Sequence, residues 1–368
     1  GTLVEVRDRV RRRGMCDQAF VDLGILAHDP LEDGEPDREY DIDTEDHPDD
    51  AKGDLFQQLQ RPHGPPNSSE GNASAAGKNL IEGRMRIYNV LGYSALGLQL
   101  VASAWLAPPS LGPWWGMAIG FGYLVMSWFL GGVYLSDVMH MGITHGALDY
   151  KEWFIKGVTL VNNTVGVYVD PVSWVNRHRL HHRFADHHGD PNKLDGDGFW
   201  RTMYLCLFPY KTTMNVATDE ILQTWPFRLV SHPLFMAISP VLSCGLLWLF
   251  VRDWPFAIAV WLGTRVFALW VNMVQNYWTH DRRWGTRRYD DPDDNAMNIG
   301  DWLPVMATFS ACWQNNHHHY PHLLRTTHGP GEFDFGYMTV RVMSALGLVK
   351  PSGTGTDKPS DVVSEIAI

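Results

Sequence analysis

Hydrophobic and polar positions are distributed unevenly along the chain. From Ile87 to Ser136 fifty consecutive residues carry no charge, more than twice the roughly twenty that a helix needs to cross a bilayer. One break interrupts the run, Ala107-Pro108-Pro109-Ser110-Leu111-Gly112-Pro113, and prolines with a glycine favour a tight turn. The pattern therefore predicts two membrane-spanning helices joined by a short loop. A second hairpin is predicted from Pro233 to Phe250 and from Pro255 to about Thr279, with Arg252 and Asp253 in its turn. The last of these spans carries Arg265, and helical arithmetic puts Asn272, Asn276 and His280 within roughly 80° of one another and of it. Such a polar stripe belongs inside the bundle, either bonding between helices or leading to a site. Between the hairpins, residues 151–170 place Trp153, Phe154, Val158, Val161 and Val165 at spacings that predict an amphipathic helix on or under the membrane surface.

Composition changes the picture at the ends. Residues 1–80 hold a basic run (Arg7, Arg9, Arg11, Arg12, Arg13), an acidic run and a Ser/Asn/Gly stretch, with too little apolar surface to offset chain entropy. They read as a separate polar region, 81–350 as the membrane domain and 351–368 as a flexible tail. Beginning at Gly1 without methionine, the chain's start reads as a fragment edge or an over-extended reading frame, with a docking tail as the alternative. From Leu31 to Asp54 twelve acidic residues face two basic ones, which accounts for nearly all of the net charge of -11 and leaves nothing to suggest a nucleic-acid partner. Sixteen tryptophans suit a membrane interface. Cys16, Cys206, Cys244 and Cys312 form no C-x-x-C pair and read as reduced thiols. Arg84 and Arg86 precede the first hairpin, Arg228 the second, and Arg282, Arg283, Arg287 and Arg288 follow it. The positive-inside bias then places both hairpin bases and both termini in the cytoplasm. The Asn162-Asn163-Thr164 glycosylation pattern is inert on that side.

The candidate chemistry lies in histidines that follow the apolar segments. His178, His181 and His182, spaced i, i+3, i+4, fall within roughly 100° of arc on a helix. His140 and His145 stand upstream, and His317, His318, His319 and His322 downstream. Neutral imidazole suits iron, copper, zinc and nickel. A transporter or metal sensor is the rival class, but its ligands belong near the bilayer midplane, whereas these cluster beyond helix ends on one side.

As a set these residues resemble the membrane fatty acid desaturases of the acyl-CoA delta-9 type. The similarity rests on a first box H-x4-H (His140 to His145), a second box H-x-x-H-H (His178, His181, His182) and a third box N-N-H-H (Asn315, Asn316, His317, His318) before Pro321. Trp174, Asp190-Pro191, Gly198-Phe199-Trp200 and the Asn276/His280 pair add to it, over about residues 85 to 350. The resemblance implies an all-α fold: an integral membrane bundle of four transmembrane helices under a cytoplasmic helical cap with a histidine-rich di-iron site. It implies an oxygen-dependent enzyme that places a cis double bond in a long saturated acyl chain held in a narrow tunnel, with oxygen reduced to water. Two iron ions would be held by His140, His145, His178, His181, His182, His280, His317 and His318, with Asn276 holding a metal-bound water. A hydroxylase or ketolase acting on a lipid or alkane is the alternative within the same chemistry. The acyl group could be linked to CoA, a carrier protein or a phospholipid. No flavin or H-P-G-G haem motif is present, so electrons are expected from a separate donor such as ferredoxin, rubredoxin or cytochrome b5. The chain departs from the family's third box at Gln314, where a histidine is usual, so Gln314 is expected either to bind metal or water or to leave a position open, and a catalytically impaired relative is the corresponding alternative. His187, His188, His319 and His322 occupy no box position.

Overall fold

The computed structural model describes residues 86–352 except 188, 195–197, 209–211, 213 and 292–293. The polar region predicted at 1–80 lies outside them, as does Cys16. Helix α1 (Ile87–Trp105) turns into α2 (Gly112–Gly132) at the predicted break, with proline in the first turn of α2. Helix α2 then passes without interruption into a π-helical segment, π1 (Val133–Thr144). The second hairpin is α7 (Pro233–Val251) and α8 (Trp254–Asn276). Its turn is set by Arg252 in the left-handed region (φ 55°) and by Asp253, which accepts from the Phe256 amide at 2.9 Å. Helices α1 and α2 pack on each other and on α8, and α7 packs on α8.

Inside this apolar bundle Gln99 of α1 is buried and donates to the Gly120 and Val260 carbonyls, both at 3.1 Å, so one side chain ties α1 to α2 and α8. Gly120 permits that approach: a Cβ there would lie 2.0 Å from the Ser103 hydroxyl. Among the described residues, three segments are long and apolar enough to cross a membrane, Gly112–Thr144, Pro233–Val251 and Trp254–His280. Helix α1 is uncharged and 19 residues long, but it carries Asn89, Gln99 and Ser103, which lower its apolarity. The stripe on α8 divides. Arg265 donates to the Gly166 carbonyl at 2.6 Å and reaches Ser243 at 3.5 Å, which is bonding between elements, whereas Asn272 and Asn276 line a cavity.

The remaining α-helices are α3 (Glu152–Val165), α4 (Pro171–Phe184), α5 (Gly198–Leu207), α6 (Trp225–Val230), α9 (Trp302–Ala307), α10 (Gln314–His319) and α11 (Phe335–Ala345). Of these, α3, α4 and α11 pack on π1, and α5 and α9 on α8. The helical fold carries one addition to the expected all-α architecture, an antiparallel pair of β1 (Leu148–Tyr150) and β2 (Val349–Pro351). Pro351 pairs with Leu148, and the Ser352 amide donates to the Ala147 carbonyl at 3.0 Å. Pro351 and Ser352, the first two residues of the tail expected at 351–368, are thus held to the helical domain by that pairing and that hydrogen bond, and 353–368 lie outside the described residues. Helix α3 lies within the stretch predicted to be helical. It buries Ile155, Val158, Thr159, Asn162 and Asn163 and exposes Trp153 and Val161. The two asparagines turn inward because they close the following loop, Asn162 donating to the Val167 carbonyl and Asn163 accepting from the Val169 amide.

Candidate metal centre

Each histidine is placed by a local device. In an α-helix residues five apart diverge by roughly 140°, which would separate His140 from His145. The π-helical turn, with its i→i+5 hydrogen bonds, stacks them. The His145 amide donates to the His140 carbonyl at 3.1 Å, and the two rings lie 4.9 Å apart. Gly142 gives π1 its contact with Tyr150, whose hydroxyl donates to the Val138 carbonyl at 2.8 Å; a Cβ on Gly142 would occupy the place of that hydroxyl.

Helix α4 begins at Asp170, which accepts from the Val172 and Ser173 amides, with Pro171 in the first turn. Its second-box residue Arg179 clamps it to π1, donating to the Ile143 carbonyl at 2.7 Å and the Thr144 carbonyl at 3.3 Å and pairing with both oxygens of Asp219 at 2.7 and 2.9 Å. Trp174 stacks on His178 at 4.9 Å. The short α10 is pinned by its asparagines. Asn315 accepts from the Arg288 and Tyr289 amides, and Asn316 accepts from Asn298 and donates to the Thr326 carbonyl. His280 ends a 3-10 turn (Trp278–His280) after α8. The roles of Arg179, Asp219, Asn315 and Asn316 were not read from sequence, although three of the four lie inside the boxes themselves.

All eight predicted histidines come together, in two groups: His140, His145, His178, His182 and His317 in one, and His181, His280 and His318 in the other. Within each group the ligand atoms lie within 4.8 Å of one another. In the five-histidine group Nε2 atoms face Nε2 atoms: His140 to His317 at 2.9 Å, His178 to His182 at 3.0 Å, His182 to His317 at 3.2 Å and His145 to His178 at 3.4 Å. A metal–imidazole bond of about 2.1 Å places neighbouring ligand nitrogens about 3.0 Å and opposed ones about 4.2 Å apart, so this spacing fits a shared cation. In the three-histidine group the buried His318 Nε2 and His280 Nδ1 have no hydrogen-bond partner, again fitting a cation.

The two groups differ in their surroundings. Burial, then repulsion from neighbouring imidazoles, holds His145, His178, His182 and His317 well below the usual histidine pKa, which keeps them in the neutral form that ligates. His181 and His318 instead have carboxylates on Nδ1, Asp190 at 2.9 Å and Asp294 at 2.6 Å. Burial alone would lower His181, but Asp190 outweighs it and raises the imidazole to about 9. Burial would raise Asp294, yet His318 holds it far below the carboxylate range. A third carboxylate, Asp186, also lies within 4.8 Å of His280 and Asp294 and accepts from the Asn295 amide at 2.7 Å.

A cavity opens beside the five-histidine group, lined by His140, His178, Asn276, Gln314, Thr202 and Cys206. Gln314 is 5% exposed, and its Oε1 is buried without a partner. A second, apolar cavity runs between α2 and α8 past Leu124, Trp128, Gly131, Phe267 and Val271. Both share Leu135, Ser136, Asn272 and Gln275, so the apolar cavity adjoins the one that His140 and His178 line. His319 stacks on Tyr289 at 4.0 Å, and neither it nor His187 or His322 belongs to either histidine group; His188 lies outside the described residues.

The family model for fatty acid desaturases matches residues 112–328, which span π1, α4, α8 and α10. The chain belongs to the fatty acid desaturase family. It is 28% identical over 252 residues to the sn-2 palmitoyl-lipid 9-desaturase of Nostoc sp. (strain 36), covering 65% of this chain and 84% of that one. It is 26% identical over 235 residues to the sn-1 stearoyl-lipid 9-desaturase of Synechocystis sp., covering 63% and 71%. With the Acyl-CoA 5-desaturase AL21 of Anemone leveillei it shares 27% identity over 234 residues, covering 61% and 67%. The desaturase is thus an oxidoreductase of lipid metabolism, with histidine clusters able to bind metal and apolar helices that suit a membrane protein. The acyl-CoA subtype is not what its relatives share, since their names include both lipid-linked and CoA-linked substrates.

Proposed function

We propose that this desaturase introduces a cis double bond at the delta-9 position of a palmitoyl or stearoyl chain carried by a membrane lipid, with one iron ion in each histidine group. The observation that carries the reading is that an apolar cavity in the bundle adjoins the cavity beside the five-histidine group, the two sharing Leu135, Ser136, Asn272 and Gln275. An acyl chain in the first would reach the second by the channel that the two would form. Bound iron would supply the oxygen chemistry that removes one hydrogen from each of two adjacent methylenes, and those two hydrogens, two donor electrons and two protons would together reduce one O2 to two waters. The protein's own residues do the rest. His140, His145, His178, His182 and His317 would hold one ion and His181, His280 and His318 the other, with Asp190 and Asp294 fixing the tautomers of His181 and His318 so that Nε2 faces the metal. Gln314 and Asn276, both lining the cavity beside His140, would bind the metal or hold a water there. The channel walls Leu124, Phe267 and Val271 would hold the chain extended and dry, so that one methylene pair among many alike stands at the histidines.

On this reading α1 is a fourth span, the cap and both termini are cytoplasmic, residues 1–80 and the tail beyond Ser352 lie outside the catalytic domain, and a separate donor such as ferredoxin, rubredoxin or cytochrome b5 supplies electrons. The names of the Nostoc and Synechocystis relatives support a lipid-linked palmitoyl or stearoyl substrate. Expression in a host lacking monounsaturated palmitoyl- and stearoyl-derived chains, followed by mass spectrometric location of any new double bond, tests it. A new double bond at another position would refute the regiochemistry, a hydroxylated chain would refute desaturation, and unaltered lipids with both metals bound would refute the activity.

A further inference from the structure

Helix α5 presents three faces with different company. Phe199 packs against the end of span α8, its ring 5.3 Å from Tyr277 and 6.0 Å from Trp278. Thr202, Leu205 and Cys206 line the cavity that His140 and His178 also line. The third face is mostly apolar and exposed: Trp200 is 66% exposed, Tyr204 46%, Leu207 51% and Phe208, just past the helix, 54%, with the exposed Arg201 at its edge. Their spacing, i, i+4, i+7, i+8, makes one continuous stripe. Four large side chains with no charge among them, held out from one short helix, are poorly suited to water.

We propose that this stripe lies in the lipid–water interface of the bilayer, and that acyl chains reach the histidine cavity directly from the leaflet past α5. The choice of a bilayer rests on continuity with the spans. Tyr277 and Trp278 lie in the last turn of the apolar segment Trp254–His280, so α5 sits beside the end of that span. The same span exposes Ile258, Leu262 and Val266 on one i, i+4, i+8 stripe. Tryptophan and tyrosine beside leucine and phenylalanine at the end of a span are what a helix in the headgroup region carries. One helix then has lipid on its outer face and the metal-site cavity on its inner face, and the shortest way in for a chain already in the membrane is along it. The second clause of the proposal rests on the desaturase reading above; the first does not.

The test uses the full chain in phosphatidylcholine and phosphatidylglycerol nanodiscs. Trp200, Tyr204 or Phe208 is replaced, one at a time, by the photoreactive residue p-benzoylphenylalanine, with exposed Asp290 as the control position. Irradiation is expected to give phospholipid adducts at the three α5 positions and none at Asp290. Adducts to protein, or none at α5, would overturn the interfacial placement. For the route, Trp200→Ser, Tyr204→Ser and Phe208→Ser are combined, with metal content equal to the parent's as the check on folding. Desaturation of nanodisc phospholipid should then fall about tenfold more than desaturation of the same lipid in detergent micelles. Equal losses in the two settings would overturn the route. A parent chain that gives the adducts yet desaturates neither preparation would uphold the placement and overturn the desaturase reading instead.

Discussion

The two histidine groups are built from the same residue type on the same elements, yet they are different environments. His181 and His182 are neighbours on α4, and His317 and His318 are neighbours on α10, but in each pair one ring joins the three-histidine group and the other the five-histidine group. A turn of about 100° per residue does this: two adjacent histidines on a helix cannot face one point, so each doublet serves two. Among the described residues the five-histidine group has imidazoles facing imidazoles and no carboxylate hydrogen-bonded to its rings, whereas the other has Asp190 and Asp294 hydrogen-bonded to its rings. A cation in the first meets neutral nitrogen lone pairs. In the second it displaces a proton that Asp190 helps His181 to keep, and the carboxylates then make the imidazoles stronger donors. Because like ligands sit in unlike surroundings, metal ions bound in the two groups would differ in affinity and in potential.

The sharpest way to break this comparison is to remove one ring from each side of a doublet. His181→Ala and His182→Ala should each lower turnover by more than roughly 100-fold, the upper end of outer-shell effects. Each should also take out about one ion per chain, and not the same one. Metal analysis with Mössbauer spectroscopy on iron-57 protein reads this; two variants that lose the same spectral component would show that the groups are one site. A smaller effect follows from the carboxylates. Asp190→Asn and Asp294→Asn should weaken retention at the three-histidine group by about 10 to 100-fold and leave the five-histidine group loaded, as read by chelator competition. Uniform loss from both groups would mean that the carboxylates hold the cap together rather than tune one ion.

Gln314 sharpens the comparison from the other side, because it lies with His140 and His178. Gln314→Ala should lower activity less than about 10-fold, and less than His318→Ala does, with metal content unchanged. A silent Gln314→Ala beside an inactivating His319→Ala would show that His319 leaves its stack on Tyr289 and takes the position. The smallest effect is expected at the start of the chain: deletion of residues 1–79 should change the loading of both groups and the turnover by less than about twofold. Lost activity with both ions retained would point instead to donor docking by the acidic run between Leu31 and Asp54.

What the sequence determined by itself is what hydropathy and spacing can encode. Fifty uncharged residues broken by prolines required two apolar helices with a turn where one is found, and Pro233 to Asn276 required the second hairpin. The eight histidines that the family resemblance picked out fall in the two groups, whereas His319 and His322, which the bare histidine clusters set beside them, do not. The division into groups was not legible, because it depends on the direction of each ring after α4, π1, α8 and α10 have packed. Nor was the π-helical turn, since H-x4-H spacing is the same letter string in any helix and only the packing of Tyr150 and Arg179 on π1 holds residues five apart in register. The inward face of α3 and the anchoring of Pro351 likewise came from contacts with residues distant in sequence. Periodicity records which side of an element is apolar. Which donor meets which nitrogen is fixed only when distant elements close on one another, because hydrogen bonds and metal ligation act over about 2 to 3 Å.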